Sequence, residues 1–453
     1  MVIAGIAASR WLRPDLFLAW AVPLRQQRPM FAAAATDEPR RPGTREMTAL
    51  LALLMALNAF AIDAMIPALP QIGADLGVDE DNKRQLVVVA YFLGFGATQL
   101  VWGPLADRFG RKPVLAAGVT LYAVFALLCA LATSFPLLIA GRIAMGASAA
   151  VTRVLVISMI RDLFAGESMA RVMSLVFMTF MLVPVLAPTI GQGILLLFPW
   201  RAIFVVLALY ALAMLAWSWV RLPETLRPEF RRTLGWRSMG RAMLDTLRER
   251  QSLGYTLALT VSFAGLIAYI ASVQQIIFDV FKAPHLIGVA FAAIAAPMAL
   301  ASYANSRIVE RFGLRRVGHI SSVMLIFITA THLGIALAGY ETLPTFIVMQ
   351  GLTMASFAFT SSNFGTLAME HMAPIAGTAS SVQGVIGTLG SALIGFAIGQ
   401  AYNGTLIPYL AGIAACAVAG MVIVALTEPD KLFAAIPVDT SADPTPCMPD
   451  DLC

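Results

Sequence analysis

Apolar runs long enough to cross a bilayer follow one another along most of this chain. A helix needs about 20 apolar residues, at 1.5 Å of rise per residue, to cross ~30 Å of hydrocarbon. Twelve such runs are present, and they occupy 47–69, 85–105, 113–133, 136–158, 170–196, 200–220, 253–278, 286–306, 316–338, 344–368, 376–400 and 404–426. The sequence therefore predicts an all-α integral membrane protein with twelve transmembrane helices.

The balance of residue types excludes several classes of protein. Hydrophobic residues make up 59% of the chain and charged residues 13%, whereas an ordinary soluble domain carries about 25% charged residues. The net charge of +5 comes from basic residues in loops between apolar runs, so we expect contact with the lipid bilayer and no nucleic-acid partner. There is no G-x-x-x-x-G-K-[ST] loop, and the cysteines and histidines are scattered. We therefore expect no ATP-driven pump, no metal site and no enzyme.

The connection between the second and third runs, Gly103–Pro113, is short, polar and basic. It forces two helices to lie side by side and antiparallel. Gly103 and Gly110 allow the backbone to turn sharply, and Pro113 suits the first turn of the next helix. The positive-inside rule predicts that this turn is cytoplasmic, because it carries Arg108, Arg111 and Lys112.

The same pattern returns about 200 residues later, as expected for a transporter built from two related bundles. Glu310-Arg311-Phe312-Gly313 repeats Asp107-Arg108-Phe109-Gly110 in the same orientation. We therefore predict two pseudo-symmetric six-helix bundles, at 47–221 and 252–427. The cytoplasmic central loop between them, 222–251, is predicted to be helical in part.

The turn resembles the loop 2–3 signature of the major facilitator superfamily. Tyr91-Phe92-Leu93-Gly94-Phe95-Gly96 and Gln99-Leu100-Val101-Trp102-Gly103-Pro104 are similar to the drug:proton antiporters of the bicyclomycin/chloramphenicol-resistance type. The resemblance covers 47–427. It implies the major facilitator fold, a small-molecule substrate, and transport driven by the proton gradient without a cofactor.

In that family the turn is a charge-relay latch on the cytoplasmic side. The matching positions are Gly103, Asp107, Arg108, Gly110 and Arg111, and a weaker second copy is implied at Glu310 and Arg311. Taken alone, these charges are also explained as positive-inside markers.

Asp63 is the clearest carboxylate inside an apolar run, about six residues or ~9 Å from the expected end of the first helix. A charged aspartate at a helix centre costs about 3 kcal/mol, so it needs a partner, a water-filled cavity or a proton. An aspartate exposed to water at the helix end is the alternative. The resemblance implies a role in proton coupling, since Asp63 matches the first-helix aspartate that precedes a proline, here Pro67, in these antiporters.

Arg142 is the predicted partner of Asp63. Its run begins near Pro136, so Arg142 also lies about six residues, or ~9 Å, below the same surface. It resembles the fourth-helix arginine of the family, which is assigned to proton transfer. We therefore predict that Asp63 and Arg142 together carry proton coupling.

The fifth run combines prolines and glycines that bend a helix and let another helix pack closely. Pro184, Pro188 and Gly191 partly match the antiporter motif of drug exporters, although Ala187 rather than glycine precedes Pro188. The resemblance implies that this helix seals one bundle against the other.

Polar side chains inside the runs are candidates for a substrate cavity. For each of them, a hydrogen bond between two helices is the alternative explanation. The candidates are Asn58, Tyr91, Gln275 and Asn363.

The charge distribution places both termini in the cytoplasm, and we expect a monomer in a bacterial inner membrane. Residues 1–46 are predicted to be a cytoplasmic extension, with a basic amphipathic anchor as the alternative. Residues 428–453 are rich in proline and aspartate and are predicted to form a disordered cytoplasmic tail.

These features predict proton-coupled efflux of small, mostly hydrophobic drugs or toxic compounds by alternating access. The sequence leaves one alternative open, a proton-coupled transporter of a single metabolite such as an amino acid or biosynthetic product.

Overall fold

The computed structural model describes residues 43–78, 80–164, 166–226, 236–372, 375–429 and 432–433, and no β-strand occurs among them. The first half contains α1 (Thr44–Asp63), α2 (Leu69–Asp75), α3 (Leu86–Phe109), α4 (Arg111–Ala130), α5 (Phe135–Leu163), α6 (Gly166–Leu197) and α7 (Arg201–Arg221). The second half contains α8 (Trp236–Arg248), α9 (Arg250–Gln275), α10 (Ile287–Phe312), α11 (Leu314–Leu337), α12 (Leu343–Met369), α13 (Ala376–Gln400) and α14 (Ile407–Thr427).

The predicted set of spans is present in the helical part of the chain. Eleven spans among the described residues are long and apolar enough to cross a membrane, and α6, with 32 residues, supplies the twelfth. The amphipathic α8 lies in the central loop, which is therefore helical in part, as predicted.

The first span is not one continuous helix. α1 ends at Asp63, a short 3₁₀ turn covers Ile66–Ala68, and α2 follows. Pro67 and Pro70 cause this break, because proline cannot donate the backbone hydrogen bond that would continue a helix. Asp63 is therefore the last residue of a helix rather than a residue inside one.

The predicted turn Gly103–Pro113 is almost entirely helical. Only Gly110, with φ of 103°, separates α3 from α4. Gly313, with φ of 81°, separates α10 from α11 in the same way. A positive φ at these values suits glycine because it has no Cβ, so the repeat seen in the sequence is also a repeat of backbone geometry. We refer to the side of the molecule that holds these two turns as the basic side, and to the other as the opposite side.

Two predicted domain boundaries need correction. α1 begins at Thr44, and Glu46 forms an ion pair with Arg221 of α7 at 2.6 Å, so the end of the predicted extension belongs to the first bundle. The predicted disordered tail also starts too early, since Glu428 is buried and pairs with Arg315 at 2.9 Å. Residues 1–42 and 434–453 lie outside the described part of the chain.

Glycines allow the helices to pack backbone to backbone. A Cβ on Gly94 would lie 1.9 Å from the carbonyl oxygen of Ile143, and one on Gly146 would lie 2.0 Å from that of Tyr91, so α3 and α5 are in direct contact. Small residues serve this purpose in membrane helices generally. Between the bundles, α3 packs against α13 and α6 against α10.

Candidate functional site

Asp63 lies at the interface between the two bundles. Its side chain is 3% exposed, and its Oδ1 atom has no hydrogen-bond partner among the described residues. The turn that follows it places Ile66 in the apolar cluster of the second bundle, which also contains Tyr269. Asp63 and Tyr269 are close enough to interact electrostatically. A buried carboxyl group thus faces the opposite bundle.

Arg142 is fully buried and caps the end of α1. Its Nη1 donates to the carbonyl oxygen of Ala61 at 3.1 Å, and its Nε donates to that of Val87 at 2.9 Å. The last carbonyls of a helix lack partners within the helix, and a cation is favoured at this negative end of the helix dipole. The guanidinium also lies 4.7 Å from the centre of the Tyr91 ring.

The prediction that Arg142 pairs with Asp63 therefore needs correction. Arg142 binds α1 only two residues before Asp63, yet the two side chains form no ion pair in the described structure. Nε and Nη1 of Arg142 donate to the α3 and α1 carbonyls, while its Nη2 has no hydrogen-bond partner among the described residues. The sequence analysis did not foresee this, because it treated α1 as continuing past Asp63.

The four cavity candidates do not come together. Tyr91 donates to Asn58 at 3.1 Å, and Asn58 donates to Thr152 at 2.6 Å, which links α1, α3 and α5 inside the first bundle. Asn363 donates to Asn305 inside the second bundle at 2.9 Å. Each of these side chains bonds to a neighbouring helix, which is the alternative that the sequence left open.

Gln275, the fourth candidate, belongs to a cluster of amides that joins the bundles on the opposite side. Gln85 donates to Gln275 Oε1, and Gln275 donates to Asn82 Oδ1 at 3.2 Å. Asn82 also donates to the Gln400 carbonyl at 3.0 Å, and Gln400 donates back to the Asn82 carbonyl at 2.8 Å. The sequence analysis missed this cluster, whose only signal is a set of amides at the ends of three spans.

The helix with the predicted antiporter motif also contributes to this closure. A Cβ on Gly191 would lie 1.9 Å from the Ala64 carbonyl oxygen, so α6 touches the backbone immediately after Asp63. Gln192 donates to the Pro284 carbonyl of the second bundle at 3.2 Å. Pro188 is buried in the same helix, and the side chain of Pro184 lies outside the described residues.

On the basic side, the predicted latch is a set of contacts within the first bundle. Arg111 forms ion pairs with Asp107 at 2.7 Å and with Asp162 of α5 at 3.2 Å. Glu224, just after α7, accepts hydrogen bonds from the backbone N–H groups of Arg111 and Lys112. A carboxylate is favoured at this position because the N-terminus of α4 is the positive end of its dipole.

The remaining latch residues occupy distinct positions around this cluster. A Cβ on Gly110 would lie 2.6 Å from Glu224 Oε2, so glycine also makes room for the capping carboxylate. Gly103 is inside α3, where a Cβ would lie 3.8 Å from Val154, an ordinary contact distance. Arg108 is exposed, with its guanidinium 5.1 Å from the Phe109 ring.

The second copy of the latch is made by different residues from those predicted. Glu310 and Arg311 are exposed, and neither pairs with an oppositely charged side chain among the described residues. Arg315, 6% exposed, instead pairs with Glu370 at 2.7 Å and with Glu428 at 2.9 Å. The carboxylates come from distant parts of the sequence, so a local motif could not reveal them.

The two sides of the molecule therefore differ in how the bundles meet. Inter-bundle hydrogen bonds on the opposite side involve Asn82, Gln85, Gln192, Gln275 and Gln400. The ion pairs described on the basic side each join residues of the same bundle. Nearer the middle of the interface, Gln99 donates to Thr388 at 3.0 Å. The bundles are held together mainly on the opposite side.

A comparison with known protein families agrees with this architecture. The family model of the Major Facilitator Superfamily matches residues 51–395 of this chain. The chain belongs to the major facilitator superfamily. It is a transporter, and its predicted fold of two six-helix bundles is confirmed.

This facilitator is 31% identical over 370 residues to the bicyclomycin resistance protein homolog of Haemophilus influenzae, which covers 81% of this chain and 92% of that protein. It is 27% identical over 389 residues to the multidrug resistance protein MdtL of Escherichia coli, which covers 84% of this chain and 95% of that protein.

Two solved structures show the same fold. The human organic anion transporter MFSD10 (TETRAN) superposes with a TM-score of 0.60 at 19% identity, covering 87% of this facilitator and all 100% of that chain. A D-xylose-proton symporter superposes with a TM-score of 0.66 at 14% identity, covering 84% of this facilitator and 96% of that chain.

Proposed function

We propose that this facilitator exports small, mostly hydrophobic drugs or toxic compounds in exchange for protons. Relatives named for bicyclomycin resistance and multidrug resistance support the substrate class. The observation that carries the proton step is the Asp63 carboxyl group, which is buried at the bundle interface with an unpartnered oxygen. A carboxyl group in that setting requires a proton or water, because no ion pair joins it to Arg142 or to another cation among the described residues.

The basic side is the cytoplasmic side in this proposal, which also places both termini in the cytoplasm of a bacterial cell. The positive-inside rule supports this orientation. The amide cluster around Gln85 and Gln275 then closes the outer side, and the described state faces inward. Substrate reaches the bundle interface from the cytoplasm.

The cycle proposed here alternates between two states of Asp63. Protonated Asp63 is neutral, so it can remain buried while the outer side is closed. Ionised Asp63 requires water, so it favours opening of the outer side. Substrate binding on the cytoplasmic side promotes release of the proton inward, and a proton from outside later resets the protein. One proton supplies ~2.3 kcal/mol per 100 mV and ~1.4 kcal/mol per pH unit.

The remaining predicted site residues have supporting roles in this proposal. Arg142 holds the end of α1 in place, so that Asp63 stays at the interface. The contacts of Arg111 and Arg315 keep each bundle rigid while the bundles rock against each other. A monomer contains all of these parts, and no cofactor is required.

Replacing Asp63 with asparagine should abolish proton-driven efflux, because an amide cannot release a proton. The measurement is drug susceptibility in an efflux-deficient bacterial host, with bicyclomycin and chloramphenicol in the panel, with and without an uncoupler. The wild-type protein should protect the host against at least one compound, and the uncoupler should remove that protection. Asp63→Asn should give none.

Asp75→Asn is the matched control. Asp75 is half-exposed and pairs with Arg201 on the surface of the same bundle, so this variant should protect like the wild-type protein. Uncoupler-sensitive efflux by Asp63→Asn would remove Asp63 from the mechanism. Protection against no compound in a broad panel would instead favour a transporter of one metabolite.

A further inference from the structure

A single exposed residue interrupts a buried stretch of α5. Between Ala144 and Ile160 every residue is buried or half-buried except Arg153. Its neighbours Thr152 and Leu155 are at most 1% exposed. Because the helix around it is enclosed, the exposed side chain of Arg153 marks a local opening beside α5 rather than the outer surface of the molecule.

The contacts of α5 show which way Arg153 points. Val151 packs against α4, since a Cβ on Gly118 would lie 2.5 Å from the Cγ1 atom of Val151. Two residues rotate a helix by about 200°, so Arg153 points away from α4. α4 is itself peripheral, and its other side carries exposed apolar residues, namely Leu121, Val124, Leu127 and Leu128. The side of α5 that carries Arg153 therefore faces the interior of the molecule.

This inward side of α5 is filled at one level and open at another. Arg142 lies on the same side, because eleven residues bring a helix to within ~20° of a whole number of turns. Arg142 is 0% exposed and bonded to α1 and α3, whereas Arg153, ~16 Å nearer the basic side, is exposed. Protein atoms nevertheless surround the Arg153 guanidinium group. Arg153 therefore projects into an internal space on the basic side of Arg142, which we call the vestibule.

Arg153 has no acidic partner in the vestibule. Its side chain forms no ion pair and no hydrogen bond within the described part of the chain. Asn58 of α1 donates to Thr152, next to Arg153, at 2.6 Å, and Asp63 lies five residues, or ~7.5 Å, further toward the opposite side. A cation inside a membrane protein pairs with a carboxylate or contacts water. The vestibule thus offers an unpaired guanidinium group to a compound that enters it.

Cations outnumber carboxyl groups in the middle of the membrane spans. In the first bundle, Arg142 and Arg153 stand against Asp63. In the second bundle, α9 beyond Arg250 and the whole of α12, α13 and α14 contain no Asp, Glu, His, Lys or Arg. The vestibule is therefore electropositive even when Asp63 is ionised.

We propose that Arg153 sets the charge selectivity of this facilitator: the transported compound places an acceptor oxygen on the Arg153 guanidinium group, and lipophilic cations are excluded. A guanidinium group carries five N–H donors and no acceptor, so it binds a carbonyl, nitro or carboxylate oxygen. A cation in the vestibule meets a like charge, and the repulsion is stronger than in water because the dielectric constant is lower. The substrate is therefore a neutral or acidic compound with an apolar body. This inference rests on the proposed function and narrows its substrate class.

The test compares two ions of the same shape and opposite charge, tetraphenylphosphonium and tetraphenylborate. Each is allowed to bind the full chain in phosphatidylcholine nanodiscs, and equilibrium dialysis gives its affinity after subtraction of binding to empty nanodiscs. The ratio of the two affinities reports the sign of the charge in the vestibule, because size and apolar surface cancel. No proton gradient is present, so the result does not depend on coupling through Asp63.

The wild-type protein should bind tetraphenylborate more tightly than tetraphenylphosphonium. Arg153→Gln should shift the ratio toward tetraphenylphosphonium by about tenfold or more, because it removes a unit charge from beside the bound ion. Arg153→Lys keeps the charge and should keep the preference for the anion.

Arg161→Gln is the matched control. Arg161 is an exposed cation about two turns further along the same helix, at its basic end, so this variant loses the same charge outside the vestibule. It should keep the wild-type ratio. An unchanged ratio in Arg153→Gln, as expected if Arg153 holds a lipid phosphate, overturns the inference. An equal shift in Arg161→Gln overturns it as well.

The wild-type protein alone also tests the inference, in case Arg153→Gln does not fold. A preference for tetraphenylphosphonium, or specific binding of neither ion, overturns it. Each of these results leaves proton-coupled efflux through Asp63 in place. The proposed function fails separately, if the uncoupler does not remove the protection that the wild-type protein gives to the host.

Discussion

The two sides of this facilitator use different chemistry for different contacts. On the opposite side, neutral amides such as Asn82, Gln85 and Gln275 join one bundle to the other. On the basic side, buried arginines at the starts of α4 and α11 form ion pairs within their own bundles. Neutral hydrogen bonds therefore join the two bundles on the opposite side, whereas the ion pairs of the buried Arg111 and Arg315 lie within one bundle on the basic side.

This separation suits a protein whose bundles must part and rejoin. Breaking a buried ion pair leaves an uncompensated charge and costs about 3–5 kcal/mol, whereas a neutral hydrogen bond contributes about 1 kcal/mol net. A contact that opens in every cycle is best made from the weaker interaction. A contact that keeps a bundle intact is best made from the stronger one.

The largest expected effect comes from removing the cation of the second bundle. Arg315→Gln would remove the cation that forms ion pairs with both Glu370 and Glu428, and Glu428 is 8% exposed. We expect a loss of about 3–5 kcal/mol in the free energy of unfolding, measured by thermal denaturation of the purified protein in detergent. Arg311→Gln is the control, because Arg311 is exposed, lies over the Phe312 ring and forms no ion pair within the described part of the chain. Equal losses for the two variants would contradict the assignment of the ion cluster to Arg315.

A smaller effect is expected at the amide cluster, and it should appear in conformation rather than in stability. Gln85→Ala removes donors to Gln275 and to the Gly399 carbonyl. It should favour the open state of the opposite side by about 1–3 kcal/mol. Spin labels at Leu131→Cys and Tyr340→Cys, exposed positions on the opposite side of the two bundles, would report this by electron–electron resonance as a larger population of long distances. Gln192→Ala, at the rim of the same interface, should have a weaker effect. An unchanged distance distribution for Gln85→Ala would mean that the cluster does not hold the bundles together.

The smallest expected effect is a pH dependence of the free energy of unfolding, and it comes from a carboxyl group on the opposite side. Glu341 lies in the loop after α11, 3.1 Å from His332 Nε2. Burial raises the pKa of Glu341 from 4.5 to about 7, so the folded state binds this proton more tightly than the unfolded chain does. The contribution of Glu341 to stability is then fully present below pH 4.5 and is lost as the pH rises through about 7.

Replacing Glu341 with glutamine should flatten this part of the pH profile. We expect a difference of about 1 kcal/mol, because water near the membrane surface screens the charge. Melting temperatures between pH 4 and pH 8 would measure it. Glu80→Gln, an exposed residue on the same side that pairs with Lys83, should leave the profile of the wild-type protein unchanged. A steep fall in stability that persists in Glu341→Gln would assign the pH dependence to another group.

Much of the fold could be predicted from the sequence because the bilayer imposes strict requirements. Run length predicted the spans, and the Gly110 and Gly313 turns predicted the repeat. The break after Asp63 could also have been predicted, since Pro67 and Pro70 lie shortly beyond it. It was missed because the first span was assigned from its apolar content alone. The site was harder to predict, because it depends on pairs such as Gln85 with Gln275 and Arg315 with Glu428. These residues are far apart in the sequence, and no local pattern connects them.

The way in which Arg142 is bound has a mechanical consequence. One guanidinium group grips the backbones of both α1 and α3 from a third helix, α5. Lysine, a point charge on a flexible stem, could not hold two carbonyls in this planar arrangement. We therefore expect the three helices to move as one rigid unit. If Asp63 is the proton site, as proposed, a change in its protonation would then be transmitted as a movement of the first bundle against the second.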